Sequence, residues 1–356
     1  MSRLEKLRAK MRELSVDSVL VLDELNQHYL SKFAFADGFL FITQTRAYLV
    51  TDFRYYEMAT KGADSEFEIL MPKDREEFMR SAISDNAVRS IGFEGGTISY
   101  DTYRSYADKY SNVEFVNIGN AIEVIRQIKS PDEIEKMQKA QDIADAAFSH
   151  ILKMLNPNMT ELEVAVELEY AMRRAGAGAF SFETIAVSGT GSALPHGVPE
   201  NVKLRPGFLT MDFGAKLDGY CSDMTRTVVI GRATDDMKKL YNTVLRAQLD
   251  ALDFLREGVD AGEADKVARD IIDSDEDFRG TFGHSLGHSV GLFVHETPVL
   301  SPKAFGRKLR VGEILTVEPG IYIFGKYGCR IEDMVAIQKN GVYNFTHSTK
   351  DLIEIL

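Results

Sequence analysis

The chain has 356 residues, of which 42 are Lys or Arg and 54 are Asp or Glu, so its formal net charge is −12. This acidic balance argues against nucleic acids and anionic membranes as partners. The two cysteines are too few for a disulfide framework. No stretch reaches the ~18 apolar residues of a membrane span, and the charged N-terminal segment lacks the apolar core of a signal peptide. We therefore expect a cytoplasmic protein.

The length is typical of two domains. In the first third of the chain, short apolar runs alternate with segments of helical spacing, which indicates an α/β domain. The remainder combines long helices with paired strands, which indicates an α+β domain. We expect the first domain to span residues 1–122 and the second to span residues 123–356.

The predicted elements of the first domain alternate regularly between helix and strand. In order, they are a helix to Leu14, a strand at Ser18–Asp23, a helix to Tyr29, strands at Gly38–Ile42 and Ala47–Thr51, a helix at Arg54–Thr60, a strand at Phe67–Met71, a helix at Arg75–Ile83, a strand at Arg89–Phe93, a helix at Tyr100–Tyr110 and a strand at Val113–Ile118.

The second domain is expected to hold longer helices and several strand pairs. In order, its elements are helices at Ala121–Lys129, Pro131–Leu155 and from Thr160 to Ala175, a strand at Phe182–Val187, a hairpin at Leu209–Ile230, helices at Thr234–Leu255 and Gly262–Ile272, and strand-like runs at Ile314–Val317 and Arg330–Ile337.

A β-hairpin with two aspartates is predicted for the stretch LTMDFGAKLDGYCSDMTRTVV. Asp218-Gly219 is a strong signal for a two-residue turn, because both central positions require positive φ. With that turn, Asp212 faces Thr225, and Asp212 and Asp223 lie on one face roughly 7 Å apart. A one-residue bulge would place one aspartate on the other face. Like charges that close raise each other's pKa unless a cation lies between them.

Further potential ligands come from the last quarter of the chain. Glu318 ends the apolar run ILTVE, Glu332 lies in the return run RIEDMVAI, and the glycine-rich loop GTFGHSLGHSVGLFVHE contains His284, His288 and His295. Together, the two aspartates, the two glutamates and one histidine of the loop make five potential ligands. Oxygen donors with one nitrogen favour Mn(II), Fe(II) or Co(II), with Zn(II) also possible. Two ions about 3.5–4 Å apart can share carboxylates, so five ligands suffice.

These motifs resemble those of the pita-bread metallopeptidases, which include methionine aminopeptidase, aminopeptidase P and prolidase. The resemblance rests on MDFGAKLDGYCSDMTRT, GHSLGHSVGLFVHE, TVEPGIYI and RIED, and it extends over nearly the whole chain. The first domain is similar to the creatinase-type domain of the aminopeptidase P and prolidase branch. The resemblance implies an α+β fold in which a pita-bread catalytic domain follows a smaller α/β creatinase-type domain.

A role for each ligand is implied by the resemblance. Asp212 resembles the chelating ligand of one metal ion, and Asp223 and Glu332 resemble bridging ligands. His288 and Glu318 resemble ligands of the other ion. The resemblance thus implies two divalent ions per chain, with Mn(II) or Co(II) favoured and Fe(II) or Zn(II) as alternatives.

Other site residues match the proline-specific branch. His196, in ALPHG, resembles the histidine that contacts substrate and aids proton transfer. His284 and His295, which flank the ligand histidine, and Arg330 resemble further substrate-binding residues. Ser289 stands where glycine is common and Phe293 where glutamate is common, but neither departure removes a donor.

The implied reaction is hydrolysis of the bond between an N-terminal residue and a following proline in a short peptide, by a homodimer. Glu318 would accept a proton from the attacking water, and His196 or His295 would hold the oxyanion. The alternatives are an aminopeptidase without proline specificity, a metal-independent creatinase-like enzyme and a peptide-binding relative.

The peptide length is a separate question. Prolidases often place an arginine after the His-Glu pair to bind the dipeptide carboxylate, where this chain has Val299. The difference favours aminopeptidase P activity, with Arg330 as an alternative partner for the carboxylate. Phe180, Phe182 and Tyr322 are candidate walls for the proline ring.

Overall fold

The computed structural model describes the whole chain, Met1–Leu356. It divides into two compact units, Met1–Arg126 and Gln127–Leu356. None of the helices combines the length and the apolar character needed to cross a membrane.

The first unit contains six helices and six strands. The helices are α1 (Arg3–Glu13), α2 (Glu24–Ser31), α3 (Phe53–Gly62), α4 (Arg75–Asp85), α5 (Tyr100–Lys109) and α6 (Ala121–Arg126). The strands are β1 (Ser18–Val21), β2 (Phe39–Thr43), β3 (Ala47–Val50), β4 (Glu68–Leu70), β5 (Ser90–Phe93) and β6 (Glu114–Asn117).

All six strands form one mixed sheet in the order β4-β3-β2-β1-β5-β6. The strands in its centre are fully buried, because their apolar runs are covered on both faces. Its helices begin where a side chain accepts a backbone hydrogen bond, as Asp23 does from the amide of Asn26 and Asp74 from Glu76. The predicted α/β character of this part of the chain is confirmed.

The second unit contains four long helices and fourteen short strands. The helices are α7 (Pro131–Met154), α8 (Glu161–Arg174), α9 (Asp235–Phe254) and α10 (Ala261–Asp273). The strands are β7 (Ala179–Phe180), β8 (Ile185–Ser188), β9 (Gly207–Phe213), β10 (Ala215–Leu217), β11 (Tyr220–Cys221), β12 (Met224–Ile230), β13 (Gly287–Ser289), β14 (Glu296–Leu300), β15 (Ile314–Val317), β16 (Gly320–Ile323), β17 (Tyr327–Arg330), β18 (Asp333–Gln338), β19 (Gly341–Asn344) and β20 (Glu354–Ile355).

Two sheets carry the acidic and histidine residues of interest, each with helices against it. Sheet β20-β12-β9-β8 shares a core with α7 and α8, in which Phe148 and Leu168 meet Met211. Sheet β14-β13-β15-β18-β19 shares a core with α9 and α10, in which Val244 meets Leu315. The apolar faces are thus turned to the helices, which leaves polar side chains on the opposite faces.

The two-aspartate hairpin has the predicted register. Asp218 and Gly219 take φ values of 49° and 86°, as the two-residue turn requires. Leu217 pairs with Tyr220 in the short arm, and Asp212 pairs with Thr225 in the long arm. The pairing keeps one register through both arms, so both aspartates stay on one face.

Two local predictions were wrong. The histidine segment is not only a loop, because its centre forms strand β13 against β14 and β15. A Cβ on Gly287 would lie 2.0 Å from the carbonyl oxygen of Thr316, so glycine permits this close approach of strands. The run from Arg330 is also not one strand: β17 ends at Arg330 and β18 begins at Asp333, which leaves Glu332 between them.

Candidate active site

Three of the predicted ligands converge directly. The ligand-type atoms of Asp223, His288 and Glu332 all lie within 4.8 Å of one another. His288 Nε2 is 3.7 Å from Asp223 Oδ2 and 3.4 Å from Glu318 Oε1. Residues from two different sheets therefore meet at one point: Asp223 directly precedes β12, His288 lies within β13, and Glu318 directly follows β15.

Asp212 joins this group from the other arm of the hairpin and lines the same cavity. Its Oδ2 accepts a hydrogen bond from Arg330 Nη2 at 2.5 Å. Its Oδ1 is buried and has no hydrogen-bond partner. A buried carboxylate oxygen without a donor is unfavourable unless a cation fills the position.

Threonine hydroxyls orient two of the carboxylates. Thr225 donates to Glu332 Oε2 at 2.7 Å, and Thr316 donates to Glu318 Oε1 at 3.1 Å. Sequence reasoning did not assign these threonines to the site. The hairpin register already placed Thr225 opposite Asp212, which was the available signal.

His288 is held with one ring nitrogen free to coordinate. Its Nδ1 lies 3.2 Å from the carbonyl oxygen of Ser289, and because a carbonyl only accepts, Nδ1 carries the proton. Nε2 then presents its lone pair to the acidic group, which is the usual arrangement of a metal-binding histidine. Burial lowers the pKa of His288 below its ordinary value, which favours the neutral ligand form.

Burial dominates the electrostatics of the acids. It raises the pKa of Asp223 and of Glu332 well above the ordinary values, and the neighbouring carboxylates raise both further. Burial also raises the pKa of Glu318 to about 7. Arg330 is the one lysine or arginine among the residues that line the cavity, so the acids share a single permanent positive charge.

The donor set therefore fits divalent cations. Four carboxylates and one neutral imidazole face one another, a buried Asp212 oxygen lacks a donor, and mutual repulsion opposes ionisation of the acids. Cations between them would relieve that repulsion. Oxygen-rich sites with one imidazole suit Mn(II), Fe(II), Co(II) or Zn(II).

Arg330 belongs to a buried polar network and is only 3% exposed. Besides Asp212, its guanidinium donates to Thr225 Oγ1 at 3.0 Å, to the carbonyl oxygen of Pro195 at 3.2 Å and to the hydroxyl of Tyr322 at 2.8 Å. These hydrogen bonds fix the guanidinium against the wall of the site.

His284 continues this network. Its Nδ1 faces the carbonyl oxygen of Ser285 at 2.9 Å, and its Nε2 lies 3.0 Å from the Tyr322 hydroxyl. Burial lowers the pKa of His284 to about 4, with a smaller effect of Arg330 in the same direction. The imidazole is thus neutral near pH 7, carries its proton on Nδ1, and accepts from Tyr322.

The site opens into a cavity of about 890 Å³. His196, His284 and His295 all line it, and the ring of His295 lies 4.5 Å from that of His288, centroid to centroid. Of the candidate walls for a proline ring, Phe182 lines the cavity. Phe180 and Tyr322 do not, since Phe180 packs under the Arg173 guanidinium and Tyr322 lies behind Arg330.

Comparison with known proteins identifies the family. The sequence profile of metallopeptidase family M24 matches residues 135–339, and that of the creatinase/prolidase N-terminal domain matches residues 3–128. The chain belongs to metallopeptidase family M24. The family and the fold predicted from the motifs, a creatinase-type domain followed by a pita-bread domain, are confirmed.

Several M24 relatives match over the full length. An Xaa-Pro dipeptidase from Pyrococcus furiosus is 36% identical, with 99% of each chain covered. The structure of an Xaa-Pro dipeptidase from Bacillus anthracis is 39% identical, with a TM-score of 0.94 and 99% of each chain covered. That of an X-Pro aminopeptidase from Thermotoga maritima is 33% identical, with a TM-score of 0.91 and 100% of each chain covered.

The M24 assignment makes this protein a metallopeptidase, as the sequence predicted. Dependence on two metal ions is a general property of the family, and the acidic group described above is the part of this chain that fits it. The relatives include both dipeptidases and an aminopeptidase, each named for Xaa-Pro substrates.

Proposed function

We propose that this M24 peptidase is a dinuclear metal-dependent exopeptidase that hydrolyses the bond between an N-terminal residue and a following proline. The observation that carries the proposal is the convergence of four carboxylates and the His288 imidazole beside an 890 Å³ cavity, with one Asp212 oxygen left without a donor. Relatives that bear the names of Xaa-Pro peptidases support the substrate class.

We assign the ligands to two divalent ions on the family pattern. Asp212 and Asp223 would hold one ion and His288 and Glu318 the other, with Asp223 and Glu332 shared. We favour Mn(II) or Co(II), with Fe(II) or Zn(II) as alternatives, because the donors are mostly oxygen. Divalent ions at this site would supply Lewis-acid activation of the scissile carbonyl and of a water molecule.

Glu318 is our choice for the group that takes the proton from the attacking water. Glu318 lines the cavity beside the other proposed ligands, where it can reach a water molecule at the site, and a positioned carboxylate can act as a general base. Thr316 donates to Oε1 at 3.1 Å. That hydrogen bond fixes one carboxylate oxygen and leaves the other to accept the proton.

His196 and His295 are our candidates for contact with the reacting amide. Both are exposed side chains that line the cavity, so each can reach a bound peptide. One imidazole would donate to the developing oxyanion. The other would protonate the proline nitrogen, which as part of a tertiary amide leaves poorly without a proton.

His284 and Arg330 complete the substrate side of the site. His284 lines the cavity but has its Nε2 occupied by Tyr322, so we assign it to the wall of the substrate site. Arg330 donates to Asp212, Thr225, Tyr322 and Pro195. Because these hydrogen bonds already occupy the guanidinium, they favour a role for Arg330 in holding Asp212 in place and not in binding the substrate carboxylate.

We further propose that the enzyme is a cytoplasmic homodimer. The dimer follows from the resemblance to the proline-specific branch. Cys221 and Cys329 are buried thiols that form no disulfide, which agrees with a reducing compartment.

A peptide panel on metal-reconstituted protein tests the proposal. Ala-Pro, Ala-Pro-Ala, Ala-Ala and Met-Ala-Ala are incubated with protein that carries Mn(II) or Co(II), and the products are identified by mass spectrometry. We expect release of alanine from the proline peptides and loss of activity on chelation. Cleavage confined to the peptides without proline would indicate an ordinary aminopeptidase, and absence of bound metal in the active protein would indicate a creatinase-like enzyme.

A further inference from the structure

The cavity extends well beyond the proposed metal ligands, along helix α8. Leu162, Ala165, Val166 and Glu169 all line it, and their spacing of three and four residues places them on one face of the helix. Leu162 is 44% exposed and Val166 55%. A surface helix normally packs its apolar face against the core. Two exposed aliphatic side chains in the wall of a cavity therefore indicate a binding site for an apolar group.

A loop beside α8 forms another part of the cavity wall. Val198 and Pro199 line the cavity there, and Val198 is 78% exposed. The loop is tied to the start of α8, because the Leu162 amide donates to the carbonyl of Glu200 at 3.1 Å. The buried carboxylate of Glu161 accepts further hydrogen bonds, from the amide of Ser188 at 2.8 Å and from the amide of Glu200 at 3.2 Å. This part of the cavity is therefore formed before a ligand binds.

One strand connects this region to the catalytic group. Ile185 of β8 pairs with Asp212 of β9, and both Ile185 and Thr184 line the cavity. The cavity is thus continuous from the acids, past β8, to α8. An extended peptide advances roughly 3.3–3.6 Å per residue, and we expect the residues that follow the proline in a bound substrate to run along this cavity towards α8.

Charge in the cavity disfavours a dipeptide. The carboxylate of Xaa-Pro would lie directly after the proline ring, and the one cationic side chain of the cavity, Arg330, is already bound to Asp212, Thr225 and Tyr322. Glu169 and Glu183 add negative charge on the side of α8. In a longer peptide an uncharged amide replaces that carboxylate.

We propose that the apolar arm, defined as Leu162, Val166, Val198 and Pro199, binds an apolar side chain at the third position of the substrate. The enzyme then acts on tripeptides and longer peptides in preference to Xaa-Pro dipeptides. This inference rests on the proposed Xaa-Pro activity and adds the identity of the residue that follows proline. Burial of an aliphatic side chain in the arm provides the affinity.

The test compares Ala-Pro with the C-terminally amidated peptides Ala-Pro-Leu and Ala-Pro-Gln on the Mn(II)-loaded enzyme, so that neither longer peptide carries a carboxylate beside Glu169 and Glu183. We expect kcat/KM for the Ala-Pro-Leu amide to exceed the values for the other two peptides by about tenfold or more, since a buried leucine side chain contributes that much. The uncharged polar substitution Val166→Asn should reduce the ratio of Leu to Gln towards one. Leu249→Asn, on an exposed site of α9 away from the cavity, is the matched control and should retain the wild-type ratio.

A binding measurement separates this inference from the proposed function. Calorimetric titration of the Ala-Pro-Leu and Ala-Pro-Gln amides into the Glu318→Gln variant measures binding in the arm without turnover. Tighter binding of the Ala-Pro-Leu amide, reduced by Val166→Asn, would support the arm even if no Xaa-Pro bond were cut. Equal binding of the two amides or faster cleavage of Ala-Pro would overturn the inference. An altered oligomeric state of Val166→Asn with an unchanged Leu preference would also overturn it, by showing that a second copy covers the arm.

Discussion

Arg330 Nη2 donates to Asp212 Oδ2 at 2.5 Å. The same guanidinium donates to the Tyr322 hydroxyl at 2.8 Å, and that hydroxyl lies 3.0 Å from His284 Nε2. Arg330 therefore ties a proposed metal ligand to a histidine of the cavity wall. One oxygen of Asp212 is fixed in this way, and the other is left to coordinate.

Tyr322→Phe tests this network. The change removes one partner of Arg330 and the donor to His284, while the proposed metal ligands remain. We expect kcat/KM to fall by roughly 10- to 100-fold, because a hydrogen bond to a charged group contributes about 1.5–3 kcal/mol. Elemental analysis should show unchanged metal content. Tyr343→Phe removes an exposed hydroxyl that donates to Gln138 and should leave activity unchanged; a Tyr322 variant as active as this control would contradict the role.

Asp223→Asn tests the shared ligand. An amide oxygen is a poor bridge between two cations, so we expect both ions to be lost or weakened together, not one alone. Elemental analysis after dialysis reports the stoichiometry. Asp218→Asn, in the exposed turn of the same hairpin, is the control, since asparagine tolerates positive φ. Full metal content and full activity in the Asp223 variant would refute the assignment.

Glu318→Gln tests the proton acceptor. The amide cannot take a proton from water, so we expect kcat to fall by roughly 10²–10⁴-fold, the usual contribution of general-base catalysis. Peptide binding should persist, which calorimetry can measure. Glu257→Gln changes an exposed glutamate and should have no effect. Retention of more than about a tenth of the wild-type rate would exclude this role for Glu318.

How much of the site follows from the sequence depends on the range of each interaction. The positions of Asp212 and Thr225 followed from a two-residue turn, because the register of a hairpin is set locally. The closeness of His288 to Asp223 joins two sheets, and no local rule specifies it. It was expected only because the motifs resembled those of a known family.

The supporting residues were harder to foresee for the same reason. Tyr322 was expected as an apolar wall, yet its hydroxyl bonds Arg330 and its ring lies outside the cavity. A tyrosine in a strand has both an apolar face and a polar tip, and the sequence alone does not determine which of them faces the site. Strand β13 was missed because Gly287 is a loop signal by propensity, whereas here it permits close strand packing.

The stability of the metal-free protein should depend on pH. Burial raises the pKa of Glu318 from 4.5 to about 7, so between these pH values the unfolded chain releases a proton that the folded chain retains. Stability therefore falls as the pH rises through this window, by on the order of 3 kcal/mol for this residue. Asp223 and Glu332, whose pKa values are also raised, act in the same direction. His284, His288 and His295, whose pKa values burial lowers from 6.5, act in the opposite direction, because the unfolded chain binds protons there that the folded chain does not.

Thermal unfolding in the presence of chelator measures this effect. The change in Tm from pH 5 to pH 8 should be more negative, or less positive, in the wild type than in Glu318→Gln, which cannot ionise, and the histidine contributions are common to both proteins. Added Mn(II) should raise the Tm at pH 8, because the ions bind the folded state. The same change of Tm with pH in the wild type and in Glu318→Gln would contradict this description of Glu318.

The most direct measurement for the central claim is a competition between Ala-Pro-Ala and Ala-Ala-Ala in one reaction with Mn(II)-loaded enzyme. The ratio of the initial rates at which the two peptides are consumed, followed by mass spectrometry, reports kcat/KM discrimination at the second residue alone. We predict a preference for Ala-Pro-Ala of at least about a hundredfold, a level that a site built around one substrate group can reach. Equal or faster cleavage of Ala-Ala-Ala would contradict the assignment as an Xaa-Pro peptidase.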